Sequence, residues 1–178
     1  KVKGAEKDIQ ELIRLLEEVE VRVNEKYDEC TVFLGCSGAG KSTLFNYLQR
    51  VPLHGKSIGR GRYKIVFDPK IDATKYSPIG EKITESETKL PFVKNNNFDC
   101  PGFRDPEPLQ DIVNAYSIYR VMSQNKKLKV VLVSSVAELE SGKKEEFLSL
   151  LDQIGEIYQD NIDALCNGLC LVITTAED

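Results

Sequence analysis

Val32-Phe33-Leu34-Gly35-Cys36-Ser37-Gly38-Ala39-Gly40-Lys41-Ser42-Thr43 runs from an apolar stretch through G-x-x-x-x-G-K-S into Leu44-Phe45-Asn46-Tyr47-Leu48. Glycines at this spacing, closed by Lys-Ser and set between a buried strand and a helix start, form the pattern of a phosphate-binding loop. Gly35, Gly38 and Gly40 allow backbone conformations closed to residues with a side chain, so successive N–H groups can converge on phosphate oxygens. The helix starting near Lys41 adds its positive end. Lys41 would then lie along the β- and γ-phosphates, and the Ser42 hydroxyl would ligate a Mg²⁺ spanning them. The candidate nucleotide cradle is therefore Gly35, Cys36, Ser37, Gly38, Ala39, Gly40, Lys41, Ser42 and Thr43. A glycine-rich turn that binds nothing is the alternative, and agreement of strand, loop and helix argues against it.

The 178 residues are 41% hydrophobic with a net charge of −4, which fits one domain able to bury roughly 70% of its unfolded surface. That charge points to neither nucleic acid nor a membrane surface as partner. No apolar run approaches the roughly 18 residues of a membrane span, and no signal-peptide pattern opens the chain. Five cysteines (Cys30, Cys36, Cys100, Cys166 and Cys170) without zinc spacing favour reduced thiols, hence a cytoplasmic, intracellular setting. Cys30 and Cys170 are expected as small core residues. The chain starts at Lys1 and its one methionine is Met122, so a piece of a longer polypeptide is expected.

Outward from the loop, Ile9, Leu12, Ile13, Leu16, Val19 and Val23 recur at helical spacing and predict an amphipathic helix within residues 1–28. It either docks on the domain or continues a stalk. After the loop helix, Val51-Pro52-Leu53-His54-Gly55 reads as a helix end with His54 in a turn. Lys56 to Lys64 is a basic segment expected as a solvated hairpin, whose sharper reading is an arginine, Arg60 or Arg62, supplied to a γ-phosphate. Ile65-Val66-Phe67 predicts a strand. Phe92-Val93, the turn Lys94-Asn95-Asn96-Asn97 and Phe98 predict a hairpin that brings Thr88 and Asp99 to one end of the sheet. Leu109 to Val121 and Phe147 to Tyr158 have helical periodicity, while Leu128 to Val133 is a buried strand and Leu169 to Thr174 the last strand. Strands alternating with helices predict an α/β fold, a mostly parallel sheet with helices on both faces and ligands at the strands' C-terminal edge.

With Asp99-Cys100-Pro101-Gly102 added to the phosphate loop, residues 29–178 resemble a P-loop (Walker A) GTPase domain of the translation-factor-related class. The likeness is greatest to septins and immunity-associated GTPases, with dynamin-like and immunity-related GTPases nearby. The resemblance implies a three-layer P-loop fold that stops after the base-recognition strand, with GTP or GDP and Mg²⁺ as cofactors. It implies Ser42, Thr88 and Asp99 around the metal, with Thr84 as a second candidate for the switch threonine, and Gly102 turning its N–H to the γ-phosphate. Lys41, Thr88, Gly102 and Ser37 become the catalytic candidates. Guanine would be read by Thr175 and Asp178, or by Glu177 if the alignment starts at Thr174; a carboxylate there accepts two hydrogen bonds from guanine, and the Lys usual in that motif is missing.

The function expected is a guanine-nucleotide-binding switch, a slow GTP hydrolase, with a homodimer or assembly partner across the nucleotide face. A nucleotide-bound structural module that does not hydrolyse, and an ATP-binding domain, are the alternatives.

Overall fold

The computed structural model describes residues 2–80, 88–103, 105–125, 127–140, 144–157, 163 and 167–174. In chain order the elements are α1 (Val2–Arg22), β1 (Glu29–Leu34), α2 (Lys41–Leu48), β2 (Leu53–Gly59), β3 (Arg62–Phe67), a 3₁₀ turn (Ala73–Lys75), β4 (Phe92–Lys94), β5 (Asn97–Asp99), α3 (Pro108–Gln124), β6 (Lys127–Ser135), α4 (Val136–Glu140), α5 (Lys144–Ile157) and β7 (Leu169–Thr174). Among the described residues, a five-stranded sheet has the order β4-β5-β1-β6-β7. The pairs β1–β5, β1–β6 and β6–β7 are parallel, and β4 alone runs antiparallel, on β5. The expected α/β architecture, a mostly parallel sheet flanked by helices, is the one found.

Handedness decides which face each helix takes. Crossovers between parallel strands are right-handed, so a helix leaving β1 toward β5 must lie on the face opposite to one that leads from β5 back across β1 to β6. Accordingly Phe45 of α2 packs with Phe33 and Val133 on one face. Val113, Ile118 and Val121 of α3, with Leu150 and Ile154 of α5, pack on Val32, Leu34, Val130 and Leu132 on the other. Each fully buried Val or Leu here contributes about 1.5–3 kcal/mol of transfer free energy.

Helix α1 joins the α3 side through Leu15, Val19 and Val23. Glu20 fixes it there: Arg120 of α3 donates from Nε and Nη2 to the two carboxylate oxygens at 2.6 and 2.7 Å, and the Tyr116 hydroxyl donates as well. The helix is thus docked, but the seam differs from the expected one. Ile9 and Ile13 are exposed and Leu15 is buried. Two apolar ridges run side by side along this helix, and periodicity does not say which of them α3 will meet.

The Asn turn is as expected: Asn95 and Asn96 both have positive φ (51° and 60°), the geometry that matches the twist of a tight hairpin. The region after α2 is corrected. The helix stops at Leu48, and Leu53-His54-Gly55 opens β2, paired antiparallel with β3 and placing His54 opposite Val66 rather than in a turn. At Gly55 an added Cβ would lie 3.6 Å from the Tyr63 ring, an ordinary van der Waals contact. The basic segment is the exposed hairpin anticipated, in a two-stranded sheet of its own. Cys30 is buried as expected, but Cys170 is exposed; it lies on the edge strand β7, whereas α2 packs over β1 and β5. Among the described residues, no helix is long and apolar enough to cross a membrane.

Candidate functional site

Because β5, β1, β6 and β7 are parallel, their C-terminal ends share one edge, and the antiparallel β4 begins there, Phe92 opposite Asp99. The topology alone therefore gathers the loop after β1, the end of β5 and the approach to β4. Gly35 turns the chain out of β1 with φ 149°, so close to β6 that a Cβ would lie 2.1 Å from the Val133 carbonyl oxygen. Gly40, with φ 88°, is the residue before the first turn of α2. Lys41, a residue only 6% exposed, reaches back over the loop, its ammonium donating to the Cys36 carbonyl at 2.9 Å.

The three residues expected around a metal converge. The Ser42 and Thr88 hydroxyl oxygens are 3.0 Å apart. Asp99 is wholly buried, and its Oδ2 accepts a 2.5 Å hydrogen bond from the Ser77 hydroxyl. Among the described residues its Oδ1 is buried with no hydrogen bond of normal geometry. Burial pushes the Asp99 pKa above the ordinary carboxylate range, while the nearby Ser42 and Ser77 hydroxyls and the Lys41 charge pull it back. A buried acid with one orphaned oxygen, beside two hydroxyls, suits a hard divalent cation. Among the described residues no group of three or more His, Cys, Asp or Glu could hold a metal ion.

Gly102 lies against the same loop: a Cβ there would be 2.8 Å from Cα and N of Ser37. The Ser37 hydroxyl is buried and has no hydrogen-bond partner among the described residues. Phe103 continues the strand-like path, its N–H donating to the Gly35 carbonyl at 3.3 Å and its ring packed on the main core. At the end of β7 the Thr174 hydroxyl donates to the Ala39 carbonyl at 2.6 Å, which sets the last described strand residue on the phosphate loop. Thr84, Thr175, Glu177 and Asp178 lie outside the described residues. Arg60 and Arg62 are exposed on the separate hairpin, Arg62 paired with Gly59 in the β2–β3 ladder. Cys36 and Cys100 are both buried; burial, then the Asp99 charge, raises the Cys100 thiol pKa well above normal.

Two groups escaped the sequence reading. Ser77 lies in a polar stretch without periodicity, yet it is fully buried on Asp99, and Asn46 of α2 donates to its carbonyl at 2.7 Å. Gln110 and Asn114 of α3 are 5% and 1% exposed. Their signal was present: Gln110, Asn114 and Ser117 form a polar stripe at i, i+4, i+7 on a helix that otherwise turns apolar residues inward.

Compared with known proteins, the chain matches no family model, no curated protein and no solved structure.

Proposed function

We propose that this chain is a guanine-nucleotide-binding switch domain that holds a nucleoside triphosphate with Mg²⁺ at the loop of residues 35–43 and hydrolyses it slowly. The observation that carries this reading is the convergence of Lys41, Ser42, Thr88 and the buried Asp99 from three separate segments onto one sheet edge. An edge where parallel strands end beside a helix N-terminus is where such folds take phosphates. Ser42, Thr88 and Asp99 are the groups that would hold the cation, which would neutralise charge on the β- and γ-phosphates. Lys41 would give up its Cys36 carbonyl for the phosphates, a change its flexible stem allows. On this reading Thr88 and Gly102 would contact the terminal phosphate and relax on its loss.

Phe103 favours a second reading, a nucleotide-stabilised module without turnover, because a ring after Gly102 can neither donate nor accept a hydrogen bond to orient water. The guanine preference rests on the resemblance of residues 175–178 and is the part most exposed to test.

Calorimetry with GTP, GDP and ATP in the presence and absence of Mg²⁺ tests the proposal. Mg²⁺-dependent triphosphate binding that Lys41→Ala weakens by about two orders of magnitude is expected, given charge-assisted contacts to two phosphates. Triphosphate affinity unchanged in that variant would overturn the assignment. Preference for ATP would move the protein to the ATP-binding class.

A further inference from the structure

A closed circuit of contacts leaves the phosphate loop at one residue and returns to it at another. From Ser42 it passes to the Thr88 hydroxyl at 3.0 Å, and the next residue, Lys89, offers its carbonyl to Gln110 Nε2 at 2.8 Å. The same Nε2 donates to Asn114 Oδ1 at 2.7 Å, and Asn114 Nδ2 donates to the Gly102 carbonyl at 2.9 Å. Gly102 then lies against Ser37. Two loops that share no hydrogen bond with each other in this circuit are thus joined through a pair of side chains one turn apart on α3.

The orientation of both amides is forced. Lys89 O and Gly102 O can only accept, so each amide must present its nitrogen to its own carbonyl. The remaining N–H of Gln110 then meets the oxygen of Asn114, and flipping either amide would set like against like. The helix that carries the pair is anchored at its start: Pro108 stands in the first turn, and Asp111 Oδ1 accepts the Asp105 N–H at 3.1 Å. Such a pair, buried and satisfied, is costly to break one bond at a time.

Resting on the nucleotide-binding reading above, we propose that Gln110 and Asn114 are positioning residues that bind the Thr88–Lys89 segment and the Gly102 loop into one unit, so that both respond together to what occupies the phosphate loop. A γ-phosphate that draws Gly102 then also moves Lys89 and its neighbour Thr88. Neither amide touches the nucleotide; each acts through the carbonyl it holds.

The test is crossed and needs no nucleotide. Gln110→Met keeps the length of the side chain and removes both of its donors. It is well placed to be tolerated, since Gln110 also lines a cleft of about 570 Å³ between α1 and α3. Asn114→Leu removes the donor to Gly102. Amide hydrogen exchange is followed by mass spectrometry in residues 88–91 and 100–103, with β1 and β6 as controls for intact folding. The expected result is that Gln110→Met, which loses the bond to the Lys89 carbonyl and reaches Gly102 only through Asn114, speeds exchange about tenfold or more in both stretches, the scale of a lost buried hydrogen bond. Asn114→Leu does the same from the other side. Loosening confined to 88–91 in Gln110→Met would overturn the proposal, even if Asn114→Leu does not fold. A further arm adds Mg²⁺ with a non-hydrolysable GTP analogue or with GDP to the native chain. Joint loosening in the variants with no nucleotide protection in the native chain would refute the nucleotide reading and leave the coupling standing.

Discussion

The hydroxyls of Ser42 and Thr88 meet at 3.0 Å across 46 residues of chain. On the proposed reading, this pair marks the place of a cation, and the two oxygens would separate around it. Thr88→Val keeps the branched shape and deletes one ligand. Mg²⁺-dependent affinity for the triphosphate should fall about tenfold or more, while affinity for the diphosphate stays within about twofold, because only the triphosphate state uses Thr88. Calorimetry with both nucleotides reads this directly; equal losses for the two would show that Thr88 serves the fold and not γ-phosphate sensing.

Gly35 and Gly61 have positive φ for different reasons, and substitution separates them. At Gly35 an added Cβ would lie 2.1 Å from the backbone of β6; at Gly61 nothing lies within 4 Å. Gly35→Ala must push the loop off β6 and should cost about 3 kcal/mol or more. Gly61→Ala carries only the backbone strain of a left-handed residue, about 1 kcal/mol. Urea denaturation midpoints of the two variants test the contrast, and similar midpoints would contradict it.

Much of this could be read from the chain. The Gly-x-x-x-x-Gly-Lys-Ser spacing and the Asn95-Asn96 turn are local signals, fixed by φ preferences that act within a few residues, and both give the geometry expected. The strand and helix alternation likewise leads to the sheet, since right-handed crossovers leave few arrangements. What could not be read depends on contacts between distant segments. Whether Ile9 or Leu15 is buried depends on which ridge of α1 meets α3. Ser77 takes its role from Asp99, 22 positions away, and Cys170 is exposed because its strand lies at the sheet edge. The Gln110 and Asn114 stripe carried a signal, but polar residues at i and i+4 gain meaning only when the carbonyls they face are known.

Docking of α1 should depend on pH through Glu20. Its hydrogen bond from Arg120, and then that from Tyr116, hold the Glu20 pKa below the ordinary value of 4.5. A carboxylate whose folded pKa is depressed contributes stability above its unfolded pKa and loses it as pH falls through the folded value. The contribution is therefore full above about pH 4.5 and fades below it. The pair is partly exposed, with side chains 29% and 42% accessible, so about 1 kcal/mol is the upper scale. Hydrogen exchange of residues 12–23 between pH 6 and pH 3, after correction for intrinsic rates, should show α1 loosening in the native chain and a flatter profile in Glu20→Gln. Parallel profiles would assign the acid sensitivity to other carboxylates.

On the proposed reading, the turnover rate follows from Phe103. GTPases that hydrolyse efficiently place a Gln after the D-x-x-G glycine to orient water, and a phenyl ring offers no such hydrogen bond. Here the position is also built into the fold: the Phe103 N–H is committed to the Gly35 carbonyl, and the ring packs on the core that α3 and β1 share. Phe103→Gln should therefore lose packing without gaining a poised water, and turnover should not rise. Arg60 and Arg62 are exposed on a hairpin outside the five-stranded sheet. Since an arginine delivered by a partner is worth 10³ to 10⁵ in rate, the isolated chain should hydrolyse GTP at about 10⁻³ s⁻¹ or slower. Single-turnover measurements on the dilute protein check this, and a rate near one per second would mean that the catalytic groups are complete without Gln or Arg and that the argument from Phe103 is wrong.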